Sequence, residues 1–430
     1  MASFDQILPV TTQVLNAHAA AVSQISWLLV NRDLNGRVRL IAPVSLMDDS
    51  AKFIELQALY RSLAAELGTH AYPPDEGILF EEHAEHACQG INPFPLSGFS
   101  NVKVLDRLAT DTRWENIANV AAGAPRFVFF SIKGGVGRST ALAASAWSLA
   151  RQGKRVLVLD LDLESPGLSS ALLPAERQPT YGITDWLVED LVENGDDLLA
   201  DMFATSDLVT AGPIYLVPAH GREPGEYVSK LGRVWMPKVM RPSGRQSWSE
   251  RLNRLIDSLE NRHRPDVILI DSRAGIDEVA AACVTDLGAH TVFMFAIQGQ
   301  QTWTGYQSLF AHWQQRGVIR DIRNRLQLVA GMVPDDDRRT EYLAALRADA
   351  YALFESTYDE VEPGKVSDWN FEEDDDNAPH SPLAIRWNRG WYGLLSLQQR
   401  MVQVDEAEVA NVYGALLDFF GRALNTERGE

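Results

Sequence analysis

The chain has 430 residues, 46% of them hydrophobic, and a formal net charge of −19 at pH 7. This length and apolar content support one large domain plus a smaller one, and the acidic balance argues against broad binding to nucleic acid or anionic membrane. The two cysteines form no C-x-x-C pair, which argues against a zinc ribbon, an iron–sulfur cluster or a disulfide framework. Without a recognisable signal segment or an apolar run of membrane-spanning length, we expect a cytoplasmic protein.

Residues 1–120 are predicted to form a small accessory α+β domain of unknown role. Two apolar strands, 25–30 and 37–43, flank a hairpin turn at Asn35-Gly36. A helix is predicted over 52–67, with apolar residues on one face and a stop at Gly68. His83 and His86 lie among glutamates and could ligate a metal, but no second cluster completes a shell, so an exposed polar helix is the favoured interpretation.

Residues 121–125 (AAGAP) interrupt the periodicity of apolar residues, which predicts a domain junction. The second domain is therefore predicted to span 121–430. The apolar run 126–132 predicts a buried strand, and the Ala-rich run 139–152 predicts a helix that ends at Gly153. Between them, residues 131–140 read SIKGGVGRST. A glycine-rich loop between a strand and a helix can direct several backbone N–H groups and the helix N-terminus at phosphate oxygens. The sequence therefore predicts a phosphate-binding loop.

Further strands are predicted at 156–161, 214–218, 267–271, 291–297 and 326–333, separated by helical stretches. This alternation predicts an α/β fold with a mostly parallel sheet and helices on both faces. Ligands bind at the carboxyl ends of the strands in such sheets. Asp160, Asp162 and Asp271 all follow predicted strands, so we expect them near the phosphate loop, where a carboxylate can hold a magnesium-bound water. The alternative is that each aspartate caps the next helix or turn.

Three other segments could have a functional role, but a structural interpretation is favoured for each. The run 319–325 (IRDIRNR) could form a local basic patch, but a solvated helix face is favoured. The acidic run 372–376 is interpreted as a loop rather than a metal site. The amphipathic stretch 412–424 is interpreted as a packed core helix rather than a membrane anchor, because its polar face lacks a basic cluster and Glu427 and Glu430 follow it.

The run 127–168, together with 181–187 (YGITDWL), 214–219 (IYLVPA) and 266–275 (DVILIDSRAG), resembles the MinD/ParA family of deviant-Walker ATPases. More narrowly, it is similar to the KGGVGR variants of that family, with Lys133 in the position of the signature lysine. The resemblance implies a P-loop NTPase fold, ATP and Mg²⁺ as cofactors, and a nucleotide-dependent homodimer. The similarity is strong to about residue 297 and weaker beyond it.

The resemblance also implies a role for each matching residue. Lys133 would reach the phosphates bound by the partner subunit, and the backbone of Gly134, Gly135, Val136 and Gly137 would surround the phosphates of its own chain. Ser139 would ligate magnesium and Thr140 would contact the α-phosphate. Asp160 and Asp271 would support the metal through water, and Asp162 would orient the attacking water.

Arg138 departs from the family pattern, which has lysine at this position. A guanidinium is larger, planar and bidentate, so the exchange is not neutral in a crowded phosphate site. We therefore expect a slow ATPase that acts as a dimerisation switch and regulates a partner protein. The alternative is a non-hydrolysing, nucleotide-bound scaffold, for example in a bacterial defence or conflict system.

Overall fold

The computed structural model describes residues 2–88, 91–108, 110, 112–240, 244–360, 369–391 and 397–426. Glu427 and Glu430, which bear on the predicted C-terminal helix, lie outside these residues. The chain folds into two compact units, Met1–Asp111 and Thr112–Glu430.

The first unit contains a five-stranded mixed sheet in the order β3-β2-β1-β5-β4. Its strands are β1 (Leu28–Arg32), β2 (Val38–Pro43), β3 (Ile78–Glu81), β4 (Phe94–Pro95) and β5 (Val102–Asp106). Its helices are α1 (Ile7–Ala17), α2 (Ala19–Ser23), α3 (Ser50–Leu67) and α4 (Ala84–Cys88). Strands β1 and β2 pair antiparallel as a hairpin, with Gly36 at φ 79° in the connection, as the sequence predicts.

The two faces of this sheet are covered differently. Alternate residues of β1, β2 and β5 pack against α1, α2 and α3 in the main core of the unit. The opposite face carries a smaller cluster that includes Leu29, Ile41 and Leu105, with Ala87 and Cys88 from α4. The predicted helix 52–67 is confirmed as α3, which ends at Gly68 with φ 59°.

The second unit is built on a sheet in the order β15-β14-β13-β6-β12-β7-β9-β8. Its described strands are β6 (Arg126–Ser131), β7 (Val156–Asp160), β8 (Ala204–Ser206), β9 (Ile214–Val217), the β10 (Lys238–Met240) and β11 (Gly244–Gln246) ribbon, β12 (Val267–Ala274), β13 (Thr291–Ala296), β14 (Leu326–Val333) and β15 (Leu383–Arg386). Every pairing in the eight-stranded sheet is parallel except that of β8 with β9. The five strands predicted after the phosphate loop are all present, and the mostly parallel α/β sheet is confirmed.

The described helices of this unit are α5 (Arg138–Arg151), α6 (Ser169–Leu172), α7 (Ile183–Glu189), α8 (Gly195–Leu198), α9 (Tyr227–Val234), α10 (Trp248–His263), α11 (Glu278–Ala281), α12 (Gln300–Arg316), α13 (Ile319–Ile322), α14 (Arg339–Phe354), α15 (Leu397–Gln403) and α16 (Glu406–Thr426). They cover both faces of the sheet. On β6, Phe127 and Phe129 join the core that contains α5 and α16, whereas Val128 and Phe130 join the core that contains α10 and α12. This alternation is the period-2 pattern of a strand buried on both faces.

The C-terminal helix α16 is a core helix, as predicted. Leu416 and Phe420 are fully buried, and the ring centroids of Phe420 and Phe127 are 4.6 Å apart. The apolar face of α16 therefore packs against the sheet.

The boundary between the two units lies before residue 112, whereas the sequence places the junction at 121–125. Residues 112–120 pack on the second unit through contacts that are distant in sequence. The indole N–H of Trp313 donates to the carbonyl of Trp114 at 2.8 Å, and the N–H of Ala118 donates to the carbonyl of Thr285 at 2.9 Å. Local sequence pattern does not reveal such contacts, which explains the difference between the predicted and observed boundaries.

Candidate nucleotide site

A tight glycine loop joins β6 to α5. Gly135 has φ 75°, and Gly137, the residue that precedes α5, has φ 89° in the left-handed region. Glycine adopts these angles without the penalty that a Cβ imposes. The first N–H groups of a helix have no partner within the helix and carry partial positive charge. The predicted strand, glycine loop and helix are confirmed, and the N-terminus of α5 opens at the end of β6.

The loop borders an open cleft of ≈ 450 Å³. A Cβ built at Gly134, Gly135 or Gly137 meets no other atom within 4 Å, so packing does not demand glycine at these positions. The lining of the cleft consists of Ser131, Gly134, Gly135, Val136, Gly137, Arg138, Ser139, Thr140, Asp162, Ser165, Arg273 and Ala274. The cleft thus lies at the carboxyl ends of β6, β7 and β12, where ligands bind in parallel α/β sheets.

Two distant glycines allow neighbouring elements to approach the loop. A Cβ at Gly331, in β14, would lie 2.5 Å from the carbonyl oxygen of Val136. A Cβ at Gly305, in α12, would lie 2.4 Å from Cγ2 of Ile132. Since real Cβ atoms do not approach this closely, a side chain at Gly331 would displace the backbone of the loop, and one at Gly305 would displace the side chain of Ile132. Neither residue was predicted from the sequence.

Arg138, the first residue of α5, is buried among three polar side chains. Its Nε donates to Oδ1 of Asp271 at 2.7 Å, its Nη1 to the hydroxyl of Ser131 at 3.0 Å, and its Nη2 to Oδ2 of Asp162 at 3.3 Å. Burial lowers the pKa of Arg138, but the Asp271 and Asp162 carboxylates more than offset this effect, and the pKa is raised. The guanidinium therefore neutralises carboxylates at the base of the cleft.

The three predicted aspartates come together but are not equivalent. Asp160 is fully buried and accepts from the N–H groups of Asp162 at 3.2 Å and Leu168 at 3.1 Å. Burial, reinforced by the Asp271 and Asp162 carboxylates, raises the pKa of Asp160. Asp162 is half-buried and lines the cleft, whereas Asp271 is buried behind Arg138. The strand ends thus place one carboxylate at the cleft and two beneath it.

One protein-family model matches most of the chain. The family model described as the CobQ/CobB/MinD/ParA nucleotide binding domain matches residues 127–419, which is well over half of the chain. The chain belongs to this family. No curated protein matches the chain.

Solved structures of MinD and ParA proteins resemble the chain at low identity. ParA of pNOB8 bound to nonspecific DNA is 17% identical with a TM-score of 0.45, covering 71% of this chain and 99% of that one. The cell division ATPase MinD of Pyrococcus furiosus is 17% identical with a TM-score of 0.45, covering 70% and 99%. MinD of Pyrococcus horikoshii OT3 complexed with Mg-ADP is 18% identical with a TM-score of 0.43, covering 69% and 96%.

The structure places the remaining predicted residues in the glycine loop and at the start of α5. Lys133 is exposed, in contrast to the buried Arg138 at the far end of the same loop. Ser139 and Thr140 are half-buried at the start of α5 and line the cleft. Val136 is buried, so its side chain anchors the loop while its backbone borders the cleft.

One charged residue of the cleft, Arg273, was not predicted from the sequence. It lies near the end of β12, two residues beyond Asp271, where the DSRAG segment reaches the loop. Register places it there, because Ala274 pairs with Ser131 and the N–H of Gly275 donates to the carbonyl of Ser131 at 2.9 Å. Its position two residues after Asp271, in the segment predicted to reach the phosphate loop, was the available signal.

The run 319–325 does not form the predicted solvated helix face. Arg323 is buried, with Nη2 donating to Asp359 at 2.8 Å, and Arg325 donates from Nη1 to the carbonyl of Ala118 at 2.7 Å. Only Arg320 of the three arginines is highly exposed, and it also pairs with Asp359 at 3.5 Å. These pairings oppose a basic patch here, and they arise from contacts with 118 and 359 that the local sequence does not show.

The residues that the structure describes contain neither a cluster of three metal-ligating side chains nor a membrane-spanning helix. No group of three or more His, Cys, Asp or Glu side chains in this part of the chain is arranged to hold a metal ion, and this includes His83, His86 and the run 372–376. No helix in the same residues is long and apolar enough to cross a membrane. Cys88 and Cys283 are both buried, free cysteines.

Proposed function

We propose that the chain binds ATP with Mg²⁺, dimerises in the nucleotide-bound state and hydrolyses ATP slowly, so that its nucleotide state regulates a partner protein. In this proposal the cleft beside α5 holds the phosphates. The family membership and the glycine loop support nucleotide binding, and the contacts of Arg138 support slow turnover.

The main observation in support of nucleotide binding is the glycine at position 134. Its φ lies outside the left-handed region, and a Cβ there would meet no atom of the protein within 4 Å. Neither backbone conformation nor packing within the chain therefore accounts for glycine at this position. Close approach of a ligand to the backbone accounts for it, because a Cβ would project into the space that the ligand occupies.

The roles of the other residues follow their positions at the cleft. We assign backbone contacts with the phosphates to Gly134, Gly135, Val136 and Gly137, the α-phosphate to Thr140, and the phosphates of the partner subunit to the exposed Lys133. The hydroxyl of Ser139 fits Mg²⁺ because Mg²⁺ prefers oxygen ligands and binds through a few side chains together with phosphate oxygens and water. The buried Asp160 and Asp271 fit an indirect, water-mediated role. When bound, the ion would neutralise charge on the phosphates.

Arg138 supports slow hydrolysis. Its Nη2 contacts Oδ2 of Asp162 at 3.3 Å, so the side chain that departs from the family pattern engages the carboxylate assigned to orient the attacking water. Its Nε and Nη1 are also bonded, to Asp271 and Ser131. Phosphoryl transfer depends on positioning and charge neutralisation. Arg138 must give up some of these bonds before it can contact phosphate, and this requirement slows turnover.

Calorimetry and single-turnover kinetics test this function. We expect the purified chain to bind ATP in the presence of Mg²⁺ and to hydrolyse it slowly, with a rate that Asp162→Ala lowers to background. Absence of ATP binding would refute the proposal. Binding with identical background rates in the wild type and Asp162→Ala would instead support the non-hydrolysing scaffold.

Light scattering coupled to chromatography tests the dimerisation step. The wild type should shift from monomer to dimer when ATP and Mg²⁺ are added. Lys133→Gln should stay monomeric while still binding ATP, because Lys133 is exposed and is assigned to the partner's site. A dimer of Lys133→Gln with unchanged ATP dependence would contradict the role of Lys133.

A further inference from the structure

Arg273 brings a second guanidinium to the cleft. Its side chain is 31% exposed, whereas that of Arg138 is 8% exposed. It shares the lining of the cleft with Gly134 and Asp162. The backbone pairing of β12 with the end of β6 fixes its position relative to the glycine loop. Arg273 is thus held beside the phosphate loop and remains open to the cleft.

The ion pairs of Arg273 differ from those of Arg138. Nη2 of Arg273 lies 2.6 Å from Oε2 of Glu164, and its Nη1 lies 2.9 Å from Oδ2 of Asp277. Glu164 is 46% exposed, so it can return to water at little cost. Asp277 is 18% exposed and also caps α11 by accepting from the N–H of Ala280 at 2.9 Å. One partner is therefore exchangeable, and the other is held in place.

Charge balance favours Arg273 over Arg138 as the cation that meets the ligand. The guanidinium of Arg138 is already bonded to two carboxylates and a hydroxyl, and Asp160 adds a third carboxylate nearby. A nucleoside triphosphate brings several further negative charges. An arginine fork suits phosphate oxygens, because it offers two parallel N–H donors.

We propose that Arg273 contacts the terminal phosphate of the nucleoside triphosphate bound by its own chain, exchanging Glu164 for phosphate oxygens while Asp277 keeps the guanidinium oriented. This inference rests on the proposed nucleotide-binding function. Arg273 is then the residue that distinguishes a triphosphate from a diphosphate, because the diphosphate lacks the group that it contacts.

Calorimetric titration with a non-hydrolysable ATP analogue and with ADP, both with Mg²⁺, tests the proposal. Arg273→Ala should weaken binding of the ATP analogue by about 10- to 100-fold and leave ADP binding nearly unchanged. Arg273→Lys should fall between Arg273→Ala and the wild type. Glu164→Gln should tighten binding of the analogue by about two- to five-fold, because it removes the competing carboxylate. Arg338→Ala, which removes an exposed arginine paired with Asp336, is the charge-matched control and should bind as the wild type does.

The outcomes separate this inference from the proposed function. A wild type that binds neither nucleotide refutes the function, and the inference with it. A wild type that binds ATP while Arg273→Ala binds it equally well, or loses ATP and ADP equally, overturns the inference alone. If Arg273→Ala does not fold, as judged by its thermal transition, Arg273→Lys and Glu164→Gln decide the question. Unchanged or weaker binding of the analogue by Glu164→Gln contradicts the exchange of partners.

Discussion

Replacement of Arg138 by methionine tests whether the guanidinium stabilises the fold of the second unit. Methionine keeps an unbranched apolar stem but removes the donors to Asp271, Asp162 and Ser131. Asp271 is 1% exposed, so its charge would be left buried without its partner. Removing one member of a buried ion pair costs about 3–5 kcal/mol. The contact with Asp162 is longer and adds less than about 1 kcal/mol.

We therefore expect Arg138→Met to lower the free energy of unfolding of the second unit by about 3–5 kcal/mol. Urea unfolding followed by tryptophan fluorescence reports on this unit, because all of the eleven tryptophans except Trp27 lie in it. The double variant Arg138→Met/Asp271→Asn should be more stable than the sum of the single variants implies, with a coupling energy of about 1–3 kcal/mol.

Arg338→Met is the control, because Arg338 pairs with Asp336 at an exposed site. Its unfolding midpoint should match that of the wild type. The reasoning is refuted if Arg138→Met stays within about 1 kcal/mol of the wild type, or if the double-mutant cycle is additive.

Two further predictions concern residues outside the cleft. Gly331→Ala should weaken ATP binding by about ten-fold or more, because a Cβ 2.5 Å from the carbonyl oxygen of Val136 must displace the loop. Gly414→Ala is the control, since a Cβ at this helical position meets no atom within 4 Å. If calorimetry gives Gly331→Ala the same ATP affinity as Gly414→Ala and the wild type, the prediction is wrong. Burial raises the pKa of Asp286 to about 6, so the carboxyl stays protonated above pH 4 in the native chain but not in the unfolded chain. The free energy of unfolding therefore falls as pH rises from about 4 to 6. Urea unfolding of Asp286→Asn should lack this part of the pH dependence, and a parallel pH profile in both proteins would disprove the assignment.

The elements of the sheet could be predicted where the sequence signal is long and local. The strands β6, β7, β12, β13 and β14 are runs of five to eight residues that are almost fully buried, and their bounds differ from the predictions by at most three residues. The edge strands β8 and β15 are three and four residues long, and their half-buried patterns resemble those of loops. Hydrogen bonds to neighbouring strands, rather than local propensity, define them.

The placement of the glycine loop and of the three aspartates at one edge of the sheet could be predicted, but not the interactions of their side chains. The sequence places Arg138 where the family pattern has lysine, and it predicts Asp271 at the end of a strand that in the structure continues to Ala274. It does not show that the two side chains meet at 2.7 Å, because that distance depends on how α5 packs over the sheet. Arg273 was missed for a related reason. A strand-end arginine matters only once the register of β12 against β6 places it beside the loop.

The two arginines together explain how this site can differ from one built around lysine. The three donor nitrogens of Arg138 point to three different groups, a geometry that a planar guanidinium provides and that the single nitrogen of an ammonium cannot reproduce over the same span. Because the guanidinium neutralises Asp271 and Asp162 in this way, Arg138 is not immediately available to contact phosphate. Arg273, with one exposed and exchangeable partner, compensates by supplying charge to the ligand. If each arginine has one of these tasks, Arg138→Met should reduce mainly the stability of the chain, and Arg273→Ala should reduce mainly the preference for triphosphate.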